Sequence, residues 1–216
     1  MAVRNYVHQI SLFKTICFNL RYFGLRGLHL PVLIARNVIL KRLGGKVILN
    51  EWGGGTIKIG FDGTGICDIR NQRGIWYVQG EICFEGKASI AAGVKISCGP
   101  TGHLSLGNRA SININSQVIC MSRIHIGEET ILSWDDLVMD SDFHEIVKDG
   151  ISQPKTKPIY IGNHVWIGCR STLLKGTKIP EGCIIAANST IAKQYDESNC
   201  IIQTTGVLRK DVNWKC

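Results

Sequence analysis

The amino-acid sequence predicts a mainly β protein in which short parallel strands wind into a coil, preceded by a helical N-terminal segment. Three observations predict this fold: a hydrophobic period of six residues, one polar interruption of that period, and an N-terminal stretch with helical spacing. The chain has 216 residues, which suits one domain or one domain with a small appendage. Its hydrophobic content of 44% is sufficient for a packed core.

The period of six is clearest in the C-terminal third of the chain. Aliphatic residues recur there at Ile161, Ile167, Leu173, Ile179, Ile185 and Ile191, and compact residues follow four positions later at Val165, Ser171, Thr177, Cys183 and Ser189. An amphipathic helix would show spacings of three and four, and a simple strand would alternate every two residues. The period therefore predicts a solenoid with three flat sides, about eighteen residues per coil and inward-facing aliphatic side chains.

The same spacing continues upstream with two slips in phase. It is followed by Phe84, Ile90 and Ile96, then by Leu106, Ile112, Val118 and Ile124, then by Ile126, Leu132 and Val138. We interpret the slips as extra corner residues. The expected boundaries are an N-terminal segment over residues 1–50, a β-helix domain over 51–200 and a tail over 201–216.

The repeat stops between Val138 and Ile161. The intervening "DSDFHEIVKDGISQPKTKP" contains a turn-like Asp149-Gly150 pair and two prolines. This composition predicts a loop, over residues 139–158, that leaves the regular coil. Loops on a rigid scaffold are where functional residues concentrate, and this one holds His144.

The N-terminal segment holds the whole net charge of +8. Its basic residues are Arg4, Lys14, Arg21, Arg26, Arg36, Lys41, Arg42 and Lys46, without a single Asp or Glu, whereas the remaining 17 basic residues are matched by 17 acidic ones. Ile10, Phe13, Cys17, Leu20 and Phe23 recur at helical spacing, and Pro31 should end the helix before it.

Two interpretations of this basic helix stay open. It can cap the open end of the solenoid, where strand edges and core would otherwise be exposed. It can also lie on an anionic membrane surface as an interfacial helix. Both can hold at once, with different faces of the helix in use, and no nucleic-acid partner is expected.

Nine cysteines are spaced at least fourteen residues apart and form no Cys-x-x-Cys pair. The chain opens without a signal-peptide pattern, and it has no run of about 18 apolar residues that could form a transmembrane helix. We therefore expect reduced, mostly buried thiols in a cytoplasmic protein, which can also associate peripherally with the inner face of the plasma membrane.

Three stretches carry a resemblance to a known family. "IGNHVWIG" and "LLKGTKIPEGCIIAANSTIAK" resemble the hexapeptide-repeat acyltransferases, and "ILSWDDLVMDSDFHEI" resembles the branch that O-acetylates bacterial capsular and lipopolysaccharide sugars. The similarity covers roughly residues 56–210. It implies a left-handed parallel β-helix, a rare exception to right-handed crossovers. It also implies a homotrimer with active sites between subunits, and acetyl-coenzyme A as co-substrate.

The acidic surroundings of His144 fit this chemistry. Acetyl transfer to a hydroxyl needs a base, oxyanion donors and a site for the pantetheine arm. Histidine titrates near neutrality, and an adjacent carboxylate can fix its tautomer. We therefore expect His144 to be the general base, oriented by Asp142 as first choice and by Asp140 as second.

The resemblance implies roles for further residues. It places the oxyanion donor and the thioester near Gly168 and Cys169, with Cys169 packing beside the thioester rather than acting as a nucleophile, and it places Trp166 on the acceptor side. The implied coenzyme-binding residues are Ala187, Lys193, Arg209 and Lys210. Leu208 stands where relatives have proline, which leaves the choice between Arg209 and Lys210 open.

The expected function is acetyl-coenzyme A-dependent O-acetylation of a sugar hydroxyl in a capsular or lipopolysaccharide glycan or its precursor, without a metal. Transfer to an amine of an amino sugar, nucleotide sugar or antibiotic is the nearest alternative. His125, His144 and His164 are spaced by nineteen and twenty, which suggests a zinc lyase like the γ-class carbonic anhydrases as another. A non-catalytic β-helix scaffold is the third.

Overall fold

A computed structural model describes residues 7–61, 67–68 and 71–215. Residues 1–6 of the basic segment, residues 62–66 and 69–70 of the expected β-helix domain, and Cys216 of the tail lie outside the described residues. The described chain is mainly β, with one α-helix near its N-terminus, and its strands form three parallel sheets that the chain visits in turn. The predicted β-helix with an N-terminal helical segment and an excursion loop is confirmed.

The three sheets are the three faces of the coil. Face 1 contains β1 (Val32–Ile34), β4 (Ile57–Phe61), β7 (Ala88–Ala91), β10 (Ala110–Ile112), β13 (Ile131–Leu132), β18 (Trp166–Ile167), β21 (Ile184–Ile185), β23 (Ile201–Gln203) and β24 (Gly206–Arg209). Face 2 contains β2 (Val38–Leu43), β5 (Gly74–Val78), β8 (Lys95–Cys98), β11 (Gln117–Cys120), β14 (Leu137–Met139), β19 (Thr172–Leu174) and β22 (Thr190–Ile191). Face 3 contains β3 (Lys46–Leu49), β6 (Glu81–Phe84), β9 (His103–Leu106), β12 (Arg123–Ile126), β17 (Ile159–Ile161) and β20 (Lys178–Ile179).

Two antiparallel pairs interrupt this order. A hairpin of β15 (Ile146–Lys148) and β16 (Ile151–Gln153) stands on the excursion loop, and β24 folds back on β23 at the C-terminal end of face 1.

The inward positions of successive coils stack in register. Ile161 pairs with Ile179, and Ile167 pairs with Ile185, each eighteen residues further on. All six aliphatic residues of the C-terminal repeat and all five compact residues that follow them are buried. The predicted three-sided coil of eighteen residues is therefore confirmed for this part of the chain.

The predicted phase slips correspond to longer coils. Phe84 pairs with Leu106, twenty-two residues on, and Leu106 pairs with Ile126, twenty residues on. One group of extra residues makes the corner between β8 and β9. Glycine is required there at Gly102, because a Cβ at this position would lie 2.4 Å from the carbonyl oxygen of Cys120. The inward stack stays continuous while the corner absorbs the insertion.

The coil begins earlier than the expected boundary at residue 51. β1, β2 and β3 supply one strand to each face, and they pair with β4, β5 and β6 respectively. The first coil was not apparent from the sequence, because twenty-four residues separate β3 from β5 and no six-residue spacing bridges that gap. Among the described residues of this stretch, β4 is the one strand.

Helix α1 (Leu12–Phe23) covers the first coil. Ser11 caps its N-terminus by accepting a hydrogen bond from the Lys14 N–H, and the helix ends at Gly24, whose φ is 57°. A 3₁₀ segment (Gly24–His29) follows and ends before Pro31, and a short 3₁₀ turn (Val7–Gln9) precedes the helix. Within the described ranges, no helix has the length and apolar character needed to cross a bilayer.

The face of α1 that contacts the coil includes polar residues that the apolar spacing did not predict, although Phe23 of the apolar set also packs against the core. Thr15, Phe18 and Asn19 are buried, whereas Phe13 is 78% exposed and Leu20 is 40% exposed. The reason is the edge of face 1, whose strand β1 has main-chain groups without a strand partner. Polar side chains satisfy them better than apolar ones.

Asn19 and Thr15 together complete the hydrogen bonding of β1. The Asn19 amide donates to the Val32 carbonyl at 2.7 Å and accepts from the Val32 N–H at 3.2 Å. The Thr15 hydroxyl accepts from the Ile34 N–H at 3.0 Å. The helix therefore caps the coil end, as one of the two open interpretations expected.

Asn19→Ala should lower the free energy of unfolding by about 2–4 kcal/mol, because it leaves the buried N–H and C=O of Val32 without partners. Chemical denaturation measures this change. Arg21→Ala on the exposed side of the same helix is the matched control and should cost less than about 0.5 kcal/mol. Equal stability of Asn19→Ala and the control would contradict the capping role.

Candidate active site

The base of the excursion loop is tied firmly to the coil. Asp140 is completely buried, and its two carboxylate oxygens accept hydrogen bonds from the N–H groups of Met121 and Ser122, each at 2.7 Å. The Lys157 N–H donates to the Asp140 carbonyl at 3.1 Å. Asp140 thus anchors the loop, and both of its carboxylate oxygens are occupied by main-chain donors rather than by His144.

Asp142 forms an ion pair that the sequence did not reveal. The Lys175 ammonium lies 2.5 Å from Asp142 Oδ2, and it also donates to the Pro154 carbonyl at 2.6 Å. The Asp142 N–H donates to the Lys155 carbonyl at 2.9 Å. Lys175 follows β19, at the corner of the next coil that corresponds to the corner where the loop leaves β14. It therefore links the outgoing and the returning segment of the loop. The sequence gives no indication of this ion pair, because the contact forms only when successive coils stack and bring their corresponding corners together.

His144 itself is exposed and makes no hydrogen bond or ion pair within the described part of the chain. Large apolar side chains surround it on the same loop, and they are also exposed: Phe143 at 51%, Ile146 at 51%, Val147 at 62% and Ile151 at 67%. Exposed apolar residues of this kind on a polar loop are typical of a surface that contacts another molecule.

Four of the sequence-predicted residues meet in one cavity at the corner between faces 1 and 2. The cavity has a volume of about 380 Å³ and is lined by Ser133, Trp134, Trp166, Gly168, Cys169, Ile184, Ile185, Ala186 and Ala187. The Trp166 indole N–H donates to the Ser133 hydroxyl at 3.0 Å, which fixes the ring at the cavity edge. We name this cavity the corner pocket.

The main chain of the corner pocket offers unused donors. The Gly168 N–H is occupied, because it donates to the Ile185 carbonyl at 2.8 Å. The N–H groups of Cys169 and Ala187, by contrast, have no acceptor among the described residues. Of the two predicted oxyanion positions, Cys169 therefore has the available donor. Gly168 has a steric role, since a Cβ there would lie 2.7 Å from the Ala187 nitrogen.

A buried carboxyl group supports this corner from inside the coil. Asp136 is 1% exposed and accepts a hydrogen bond from the Ser171 N–H at 2.8 Å, while its second oxygen has no partner among the described residues. Burial raises the pKa of Asp136 to about 8. Asp136 was not among the residues predicted from the sequence, where the Asp-Asp pair in "SWDDL" was the available signal.

The C-terminal tail folds back against face 1. The Trp214 ring stacks on the His164 ring with centroids 4.1 Å apart, and its indole N–H donates to the His164 carbonyl at 2.9 Å. Trp214 is 9% exposed and lies 6.2 Å from the Trp166 ring. The sequence analysis missed this contact, whose only signal was an aromatic residue in a polar tail.

The three histidines of the zinc alternative lie apart. The His125 ring contacts the Ser105 hydroxyl on face 3, His164 stacks on Trp214, and His144 stands on the loop. Across residues 7–61, 67–68 and 71–215, no group of three or more His, Cys, Asp or Glu could hold a metal ion. Their regular spacing reflects the coil period and does not bring them together.

The predicted coenzyme-binding cations lie near the C-terminal end of the coil. Lys193 follows β22 with its side chain exposed, and Arg209 ends β24. The Lys210 ammonium pairs with Glu197 at 2.9 Å, which raises the pKa of Lys210. Arg209 makes no ion pair in the part of the chain that the structure describes. This difference favours Arg209 over Lys210 as the cation available for a phosphate.

The candidate site has two parts, the corner pocket and the excursion loop, and the corner pocket and the base of the loop lie at opposite edges of face 2. The corner pocket is built where strands of face 1 turn into face 2, whereas the loop leaves from β14 of face 2 and returns to β17 of face 3. At about 3.3 Å per residue, the width of face 2 separates the base of the loop from the corner pocket by roughly 15 Å. His144 is not among the residues that line the corner pocket.

Lys175→Met should loosen the loop, because it removes the cation that joins Asp142 to the Pro154 carbonyl. Amide hydrogen exchange at Asp142 and Lys157 should accelerate roughly five- to thirtyfold, as expected for about 1–2 kcal/mol of local opening free energy. Lys178→Met is the control, since its ion pair with Asp196 is exposed and lies outside the loop. Unchanged exchange in Lys175→Met would show that the loop is held by other contacts.

The chain is similar to known proteins over most of its coil. The family model "Bacterial transferase hexapeptide (six repeats)" matches residues 158–193. An uncharacterised 24.8 kDa protein from the cps region of Klebsiella pneumoniae is 30% identical over 149 residues, covering 67% of this chain and 66% of that protein. The putative lipopolysaccharide biosynthesis O-acetyl transferase WbbJ of Escherichia coli K12 is 24% identical over 158 residues, covering 68% of this chain and 76% of that protein.

A solved structure supports the same fold. The polySia-specific acetyltransferase NeuO superposes with a TM-score of 0.56 at 17% identity, covering 86% of this chain and 78% of that one.

Proposed function

This chain belongs to the hexapeptide-repeat family of bacterial transferases, and on that premise we propose that this acetyltransferase moves the acetyl group of acetyl-coenzyme A to a sugar hydroxyl. The acceptor is a capsular or lipopolysaccharide glycan or its precursor. The relatives from the Klebsiella cps region and from Escherichia coli lipopolysaccharide biosynthesis support this acceptor class.

The proposal rests mainly on the composition and size of the corner pocket. Its walls are almost wholly apolar, it has room for the thioester end of a pantetheine arm, and it is lined by Cys169, whose N–H has no acceptor among the described residues. A main-chain N–H that faces an apolar pocket stabilises a developing oxyanion better than the same group would in water. Trp166 borders the pocket on the side where the acceptor would enter.

The reaction needs no covalent enzyme intermediate. His144 takes the proton of the sugar hydroxyl, and the oxygen attacks the carbonyl carbon of the thioester. The Cys169 N–H stabilises the oxyanion that forms. The C–S bond then breaks, and the leaving thiolate takes the proton from the imidazolium. Asp142 pairs with Lys175 and does not contact His144 in the single chain, so its proposed role of orienting the imidazole requires the assembled site. Lys193 and Arg209 bind phosphates of the coenzyme.

A homotrimer completes the site. The loop leaves the coil at the edge of face 2 away from the corner pocket, and His144 does not line that pocket, which supports a site that a neighbouring subunit completes with its own loop. The exposed Phe143, Ile146, Val147 and Ile151 supply the apolar surface for that contact. Subunits related by rotation about one axis each give a loop and receive one, which closes the assembly.

The acceptor is identified by incubating the purified protein with acetyl-coenzyme A and a panel of bacterial glycans and nucleotide sugars. Mass spectrometry then detects the added acetyl group. Mild alkaline treatment distinguishes the outcomes, because it removes O-acetyl esters and leaves N-acetyl amides. Acetylation of amino sugars alone, stable to alkali, would reject O-transfer in favour of the amine alternative.

His144→Ala should lower the transfer rate by about 10²–10⁴-fold, because it removes the positioned base. Coenzyme binding and the thermal midpoint should stay close to those of the wild type. His103→Ala, on face 3 and exposed, is the matched control and should keep the wild-type rate. A His144→Ala enzyme with more than about half the wild-type rate would exclude His144 as the base.

Mixed assemblies test whether the site is shared between subunits. His144→Ala should remove the base that the loop contributes to the site, and Ala187→Trp should block coenzyme binding by filling the corner pocket. Each variant alone should be inactive, whereas random mixing in equal amounts should restore about a quarter of the sites, since a quarter combine an intact loop with an intact pocket. No recovery in assemblies shown to be mixed would place both halves in one subunit.

A further inference from the structure

The outer side of the N-terminal cap carries an apolar patch that the described residues leave uncovered. Helix α1 buries one side against the coil and exposes another, on which apolar residues cover roughly 100° of the helix. The 3₁₀ segment extends this surface. We define the N-terminal apolar patch by its members and their exposure: Leu12 67%, Phe13 78%, Ile16 42%, Leu20 40%, Leu25 82% and Leu28 61%.

Cations and aromatic rings border this patch. The Arg26 guanidinium lies over the Trp52 ring, 5.6 Å from its centroid, and the Arg21 guanidinium lies over the Tyr22 ring at 5.5 Å. Trp52 is itself 46% exposed and packs edge-on against Phe23. Apolar side chains beside arginines and an exposed tryptophan are typical of segments that lie at a membrane–water interface.

The charge of the N-terminal segment indicates what kind of surface binds to the patch. Residues 1–50 contain eight basic residues and no acidic one, so an anionic surface is the electrostatic complement. A second copy of this chain fits poorly, since a self-complementary contact through the patch would place Arg21 and Arg26 against the same cations.

The position of the N-terminal apolar patch in the fold is compatible with contact to a membrane surface. Helix α1 packs on β1 and β2, which are the first strands of faces 1 and 2. It therefore covers an end of the coil. The corner pocket and the excursion loop, through which the proposed trimer forms, lie along the sides. Contact at the coil end leaves those sides accessible.

We propose that the N-terminal apolar patch inserts into the surface of an anionic lipid bilayer, with Arg21 and Arg26 at the headgroups and the coil projecting into the aqueous phase. The cap thus has two functions on two faces. Thr15, Phe18 and Asn19 hold it to the coil, and the patch holds the coil to the membrane. Contact with the bilayer brings the enzyme close to acceptors that are lipid-linked.

Flotation of the full-length protein with vesicles tests the proposal. Vesicles of phosphatidylcholine alone are compared with vesicles that contain about 30% phosphatidylglycerol, over a series of salt concentrations. The protein should float with the anionic vesicles at low salt, and the bound fraction should fall as salt rises. Equal flotation with both vesicles, or none with either, would overturn the proposal.

Two pairs of substitutions separate the apolar and the ionic contributions. Phe13→Ser with Leu25→Ser should weaken binding to anionic vesicles at least about tenfold, because both side chains are largely exposed and would be transferred into lipid. Arg21→Gln with Arg26→Gln should remove most of the preference for anionic over neutral vesicles. Circular dichroism and thermal melting confirm that the variants are folded.

Matched controls remove equivalent groups elsewhere. Leu208→Ser replaces an apolar residue, 60% exposed, at the other end of the coil, and Lys95→Gln with Arg123→Gln replaces two exposed cations on its sides. All should bind like the wild type. Wild-type flotation by the Phe13→Ser, Leu25→Ser variant would overturn the proposal. So would loss of the trimer in light scattering without a change in flotation, because the patch would then be a subunit interface.

Discussion

The stacking of buried aliphatic side chains from one coil to the next is the interaction on which this structure depends. Ile161 lies on Ile179, Ile167 on Ile185 and Leu173 on Ile191, while the main chains of the same strands pair in parallel. Each coil buries its apolar residues only against its neighbours, so any residue that leaves the register must do so at a corner. The insertions that lengthen upstream coils, and the excursion loop itself, all follow that constraint.

The same constraint explains why the candidate site is built at corners. Along the faces, main-chain N–H and C=O groups pair with the neighbouring coils, whereas at the turns some remain unused, as at Cys169 and Ala187. Compact residues are needed there, because a Cβ at Gly168 would lie only 2.7 Å from the main-chain nitrogen of Ala187 in the next coil. A corner can therefore offer a donor and space for a substrate at once, while a loop from another corner can supply a base.

A coil of this kind also has ends, and each end exposes edges that the interior does not. Asn19 and Thr15 solve this problem at the N-terminal end by acting as substitutes for a neighbouring strand. At the other end, β24 folds back on β23. Trp214 closes over His164 on face 1 and extends the aromatic surface around Trp166. The segments outside the repeat are thus positioned by the unpaired main-chain groups and uncovered side chains at the two ends of the coil.

The architecture could be predicted from the sequence, because a period of six is a local property that each coil repeats, and a break in that period marks the loop. The sequence also predicted Trp166, Gly168, Cys169 and Ala187 as site residues, and the structure brings these four into one pocket. Features that depend on contacts between separate coils appeared only in the folded structure: the first coil at residue 32, the Lys175 contact with Asp142, the burial of Asp140 and Asp136, and the stacking of Trp214. The folded structure also showed that Thr15 and Asn19 contact the coil, which hydropathy spacing could not predict, because the exposed edge of β1 requires hydrogen-bonding side chains.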